Sequence, residues 1–198
     1  VRIARTALES DVIISVPVLK AAVRTYASLS LKNMKGVMPG VEKRKSHRVG
    51  LDKAIVDLCS VVRPSYAIID ATVGAEGMGQ YPEDTKAMGL IVAGSDAVYV
   101  DVVGAALMGI DPSRIMHLQY MAQREGKVAE LAVVELVGEP LEAHRQVSSR
   151  ASRFFSRASR RSPSFVASRL VPAAPTNSSV HSLSSRRRDT ANSCRVSR

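Results

Sequence analysis

"AMGLIVAGSDAVYVDVVGAALMG", residues 87 to 109, decides the fold class. Its first eight residues, 87 to 94, are an apolar run bounded by small residues and predict a buried strand. Ser95 and Asp96 follow, and Asp96 is suited to capping a helix over residues 95 to 109 or to serving as its first-turn acid. A strand leading through a cap into an apolar helix is the unit from which α/β domains are built.

Working outward, residues 65 to 71, "SYAIIDA", predict a strand, and 131 to 139, "LAVVELVGE", predict a last one. Residues 11 to 20, "DVIISVPVLK", predict a buried strand ending near Pro17, which leaves Lys20 just past its end. In "LDKAIVDLCSVV" the residues Leu51, Ala54, Ile55, Leu58 and Val62 fall on one helical face, with Cys59 on its shoulder as a core cysteine. Asp111 before Pro112 starts a further helix over 112 to 126. Strands alternating with helices imply a mostly parallel sheet with crossover helices.

The charge is segregated. Residues 1 to 142 hold 16 Lys and Arg against 17 Asp and Glu, whereas residues 143 to 198 hold 12 Arg and one acid, Asp189, so the net +10 belongs to the tail. That tail carries 15 Ser and no sustained period, and it is expected to be disordered. Such an arm binds nucleic acid or anionic membrane by counterion release. The same abrupt Arg, Ser, Pro and Ala bias marks a non-native extension read out of frame from GC-rich DNA, the reading preferred here. The core, residues 1 to 142, is not expected to bind nucleic acid. Its sheet is expected to be incomplete, and the chain, which does not begin with Met, is expected to be a fragment.

Two cysteines, Cys59 and Cys194, are too few for a disulfide framework and too few for an iron–sulfur cluster, so no cluster is expected on this chain. No stretch reaches the length of a membrane span and no signal layout opens the chain, which leads to the expectation of a cytoplasmic protein.

Candidate chemistry lies in three places. In "LSLKNMKGVMPGVEKRKSH", residues 29 to 47, Lys32, Asn33 and Lys35 follow apolar Leu29 and Leu31 and form a donor cluster suited to a carboxylate or phosphate. Lys43 to Lys45 read as a solvated loop beyond the turn at Pro39-Gly40, and His47 is a candidate cap, proton carrier or metal ligand. The Gly-rich connection 74 to 84 follows the strand ending at Asp70 and holds Glu76 and Gly77; its glycine spacing fits no nucleotide motif. Asp101 sits among Val98, Val100, Val102, Val103, Ala105 and Ala106 and needs a partner, since an unpaired carboxylate there costs several kcal/mol. These residues predict one polar cleft at the carboxyl ends of the strands. Asp70, Glu76 and Asp101 would face a divalent metal or accept protons, and Lys20, Lys32 and His47 would face a small anion. Lys20, His47 and Asp101 are the catalytic candidates; Lys20, Lys32, Asn33, Lys35, His47 and Gly77 are the ligand-binding ones.

The segments "VPVLK", "LSLKNMKGVMPG", "H..GLDKAIVDL", "IIDATVGAEGMG", "GLIVAGSDAVYVDVVGAALMGIDP" and "VELVGE" together resemble the second half of the family known as domain of unknown function 362, over roughly residues 11 to 140. The resemblance implies an α/β domain associated with a ferredoxin-like iron–sulfur module, some members carrying twin-arginine export signals. It matches Pro17, Lys20, Lys32, Asn33, Lys35, Gly36, His47, Asp70, Glu76, Gly77, Asp96, Asp101 and Gly109 to family positions. Where the family has Thr-His after the lysine, this chain has Ala21-Ala22, which takes a hydroxyl and an imidazole from the expected site. The alternative to a binding or catalytic domain is a scaffold, or an inactive remnant, that docks a redox partner with its basic tail as an arm.

Overall fold

The computed structural model describes residues 1–76 and 84–145, together with the backbone of residues 164–169. Among them one mixed sheet of seven strands carries its helices on one face. After the short α1 (Arg5–Leu8) come β1 (Ile14–Ser15), β2 (Val18–Ala22) and β3 (Tyr26–Ser28). Next stand α2 (Ser30–Asn33), a 3-10 turn at Met34–Val37, α3 (Gly40–Val49) and α4 (Leu51–Val61). β4 (Tyr66–Ala75) and β5 (Thr85–Gly94) lead into α5 (Ala97–Leu107) and α6 (Met116–Arg124), followed by β6 (Glu135–Gly138), α7 (Leu141–His144) and β7 (Ser164–Arg169).

The strand order is β3-β2-β4-β5-β7-β6, with β1 also on β4. β1 and β2 both run parallel to β4, reached by the crossover through α2, α3 and α4. β4 and β5 are antiparallel, and the nine residues between them are fewer than a parallel crossover needs. Of the tail expected to be disordered, residues 143–144 end α7 and residues 164–169 form β7, parallel to β5 and antiparallel to β6. Residues 146–163 and 170–198 lie outside the described residues.

Pro17 interrupts the first strand rather than ending it. It has no N–H to give the ladder, but its carbonyl accepts the Asp70 N–H at 2.8 Å, so the chain resumes as β2. Lys20 therefore lies inside a strand, paired with Ser28 on one side and Ala75 on the other, and not beyond its end. The basic run also differs from expectation. Pro39 occupies the N-cap of α3, a place that suits a residue of fixed φ, and residues 40–49 are helical, with Glu42 and Ser46 buried and Arg44 and Lys45 exposed.

The core lies between the sheet and α5. Ala67, Ile69 and Ala71 of β4 and Leu90 and Val92 of β5 point at the helix layer, and α5 is buried on nearly every side. Gly104 makes that packing close: a Cβ there would stand 2.7 Å from Ile69 Cδ1 and 3.1 Å from Leu29 Cδ1. Asp96 caps α5, accepting from the N–H groups of Val98 at 2.9 Å and Tyr99 at 3.3 Å. It also pairs with Lys127, which Glu125 and Arg63 join in a network tying α4, α5 and α6 together. The expected helix 112–126 divides into a 3-10 turn capped by Asp111 and then α6. The other sheet face carries Ile14, Val16, Val18 and Tyr66, each more than a third exposed.

Candidate functional site

Asp101 has its partners in the backbone. Both carboxylate oxygens are used, Oδ1 accepting the Ser30 N–H at 2.7 Å and Oδ2 the Leu31 N–H at 3.0 Å, so the residue caps α2 from 70 positions away. Burial pushes its pKa up to about 7, against the opposing effect of the Leu31 and Ser30 N–H groups. The Ser30 hydroxyl, wholly buried, completes no hydrogen bond with a described residue but adds to that opposing effect by its proximity.

What Asp101 holds is the start of the helix that bears Lys32. Lys32 Nζ donates to Thr25 Oγ1 at 2.8 Å, and the Thr25 hydroxyl donates onward to the Ala27 carbonyl at 3.0 Å. Thr25 lies in the β2–β3 turn, where Tyr26 adopts φ 60° and the Ala27 N–H reaches the Thr25 carbonyl at 2.6 Å. A bulky residue in the left-handed region is strained, and the Arg114 guanidinium 4.5 Å from the Tyr26 ring centroid helps to hold it. At the other end of the short helix, Asn33 Nδ2 donates to Ser15 Oγ at 3.1 Å, so Asn33 ties α2 to β1.

The cations gather around Lys32. Its pKa is lowered to about 8, first by burial and then by the charges of Lys35 and Lys20, with Asp52 opposing. Lys35, nearly buried, stands 3.0 Å from His47 Nε2. An ammonium has only protons to offer, so His47 accepts through Nε2 and carries its own proton on Nδ1. The pKa of Lys35 is lowered by burial and by Lys43, and that of His47 by desolvation and by Lys35, Arg24 and Lys32. None of Lys20, Lys32 and Lys35 forms an ion pair with a described residue. The acid near Lys32 is Asp52, whose Oδ1 accepts from the His117 backbone N–H at 3.1 Å and pairs with its Nδ1 at 2.9 Å. The bond to the His117 side chain keeps the Asp52 carboxyl below the usual range.

Lys20, Lys35 and His47 thus each come within electrostatic reach of Lys32, and the expected carboxylates do not join them as a metal triad. Strand alternation turns Asp70 away: Ile69 and Ala71 face α5, so Asp70 lies on the open face with Val18 and Ile91, its Oδ1 taken by the Thr72 hydroxyl at 2.6 Å and N–H at 2.9 Å. The Thr72 bonds lower its pKa. Asp101 is on the opposite, helix-covered face. Glu76 follows the end of β4, where its N–H donates to the Asp84 carbonyl at 2.7 Å, next to the Ala75 that pairs with Lys20. Gly77 lies outside the described residues. Among the described residues no group of three or more His, Cys, Asp or Glu is placed to hold a metal ion. Cys59 is buried in α4, donates to the Leu31 carbonyl at 3.4 Å, and its thiol is pushed up to about 12 by burial. Cys194 lies outside the described residues.

Residues 1–106 match the family described as Domain of unknown function (DUF362). The chain belongs to the DUF362 family. It is also similar to the Thylakoid-associated protein sll1697 of Synechocystis sp., 28% identical over 120 residues, a match covering 58% of this chain and 37% of that protein's length. No solved structure matches. Among the described residues of this DUF362 chain no helix is long and apolar enough to cross a membrane.

The candidates that sequence reasoning missed in the DUF362 chain are Arg24, Thr25, Asp52 and, as a partnered residue, His117. Thr25 and Arg24 had a local signal, since two small-residue strands around "VRTY" make a hairpin turn whose side chains stand at a strand's carboxyl end. Asp52 and His117 had none, because 65 residues separate them.

Proposed function

We propose that this DUF362 chain binds a small carboxylate or phosphate compound through Lys20, Lys32, Lys35 and His47. The observation that supports the reading is the environment of Lys32: a half-buried ammonium whose nearest charged influences are Lys35 and Lys20, with Asp52 the opposing charge. Buried charge is normally compensated, and a cation cluster without matching carboxylates among the described residues is compensated when an anion enters. Thr25, the α2 cap and the Asn33 tether fix the donors before any ligand arrives. Titration calorimetry with inorganic phosphate and with citrate at low salt tests it. Lys20→Met and Lys35→Met should each weaken binding by about tenfold, the worth of one charge-assisted hydrogen bond. Unchanged affinity in both variants would overturn the reading.

A second reading, a scaffold that docks a ferredoxin-like redox module, is supported by the open sheet face of Ile14, Val16, Val18 and Tyr66. Val16→Glu with Val18→Glu separates the two. Under the first reading anion binding persists, and under the second the complex with the redox module is lost.

A further inference from the structure

We propose that Lys32 is a nucleophilic amine that forms an imine with an aldehyde or ketone carrying a carboxylate or phosphate a few bonds away, a substrate class that rests on the anion site proposed above. Three features of the geometry carry this. First, the Lys32 amine is aimed: Nζ donates to Thr25 Oγ1 at 2.8 Å, and Thr25 spends its own proton on the Ala27 carbonyl, so the hydroxyl faces Lys32 as an acceptor alone. Secondly, α2 holds the Lys32 backbone rigidly, because Asp101 grips its first N–H groups and Asn33 is fastened to Ser15. Thirdly, the charges are divided by role. Lys35, backed by His47, and Lys20 provide positive charge for the anionic group, while Lys32 stands among them with an amine that burial and its two cationic neighbours keep closer to the neutral form than a surface lysine.

Chemically the step is a condensation. The Lys32 nitrogen lone pair forms a C–N bond to the carbonyl carbon as the C=O π pair moves to oxygen. Both amine protons then leave with that oxygen as water, and the nitrogen completes a C=N bond; nothing is oxidised or reduced. The protons need a carrier from nitrogen to oxygen. Solvent water is that carrier, and Asp52, kept ionised by its bond to His117 Nδ1, is the carboxylate whose charge reaches Lys32. A role for Lys32 as a mere tether to the turn would need only the hydrogen bond to Thr25, and a neutral donor would serve it better than an ammonium crowded by two others.

The experiment uses the full chain with two probes, pyridoxal 5′-phosphate and glyoxylate, each an aldehyde next to an anionic group. After incubation near neutral pH, borohydride reduces any C=N to a stable secondary amine, and peptide mass spectrometry locates it. Lys32 should carry the adduct in more than about tenfold excess over exposed Lys45 and Lys53. Inorganic phosphate should protect it, and Lys32→Arg should remove it. Adducts spread over the exposed lysines, or an unmodified Lys32, would overturn the imine. An unmodified Lys32 in a chain that still binds phosphate by calorimetry leaves the anion site standing, whereas loss of both refutes both.

Discussion

Replacing Asp101 with Asn tests how the core holds the lysine-bearing helix. Asn keeps the shape but offers one acceptor in place of two, and its NH2 is directed at a backbone N–H, either that of Ser30 or that of Leu31. One buried N–H is left unsatisfied, at a cost of about 1–3 kcal/mol. The change also abolishes a titration. Folding raises the Asp101 pKa from 3.8 to about 7, so between those values the folded state binds more protons than the unfolded one and stability falls as pH rises. The stabilising contribution is complete below the unfolded pKa and is lost as pH passes through the folded one. From pH 5 to pH 8 the window spans roughly two pH units, or about 3 kcal/mol that the wild type loses and the Asn variant does not. Urea denaturation of both proteins at pH 5, 6, 7 and 8 gives the comparison. The variant should be the less stable at pH 5, with the gap closing or reversing by pH 8. Stability curves that stay parallel across that range would refute the buried titrating carboxylate.

Gly104→Ala should destabilise the fold by about 1–3 kcal/mol through the contact with Ile69 and Leu29, partly offset by helix propensity, and adding Ile69→Val should recover most of the loss; a neutral single variant in thermal denaturation would show the layer is looser than described. Asp52→Ala removes the acceptor of two His117 bonds at the start of α6 and should cost about 1–3 kcal/mol. Because folding lowers the Asp52 pKa, that stabilisation is present above the unfolded value and disappears as pH falls through the folded one, so the two proteins should converge in acid melts and differ at neutral pH.

The features legible in the sequence are those decided by a residue and its near neighbours. The strand at 87–94 and the helix after it follow from an apolar run, a cap and a second apolar run, and Asp96 bonds Val98 and Tyr99, two and three positions on. The burial of Cys59 followed from its helical face in the same way. Pro17 lacks an N–H, which the sequence shows, but its carbonyl accepts the Asp70 N–H across the sheet, which the sequence does not show. Pro39-Gly40 reads as a turn in the sequence, and the same φ that favours a turn also favours the helix start found there. For Asp101 the need for a partner was plain from its apolar surroundings, but an apolar environment does not say which donors answer it. They are backbone groups in another segment, which no side-chain pattern encodes.

That arrangement explains why the cations around Lys32 are fixed rather than free. A four-residue helix has no stability of its own, since nucleation fixes several residues for a single hydrogen bond. α2 exists because Asp101 satisfies its first N–H groups and Asn33 anchors its end. The charge that makes Asp101 costly to bury is therefore what orders the backbone under Lys32. Strain points to the same place: Tyr26 is held at positive φ, and the turn it makes presents the Thr25 hydroxyl to the Lys32 amine. A buried carboxylate and a strained tyrosine are both expensive in a domain of marginal stability, and both costs converge on the orientation of one lysine. A surface lysine with no function would need neither.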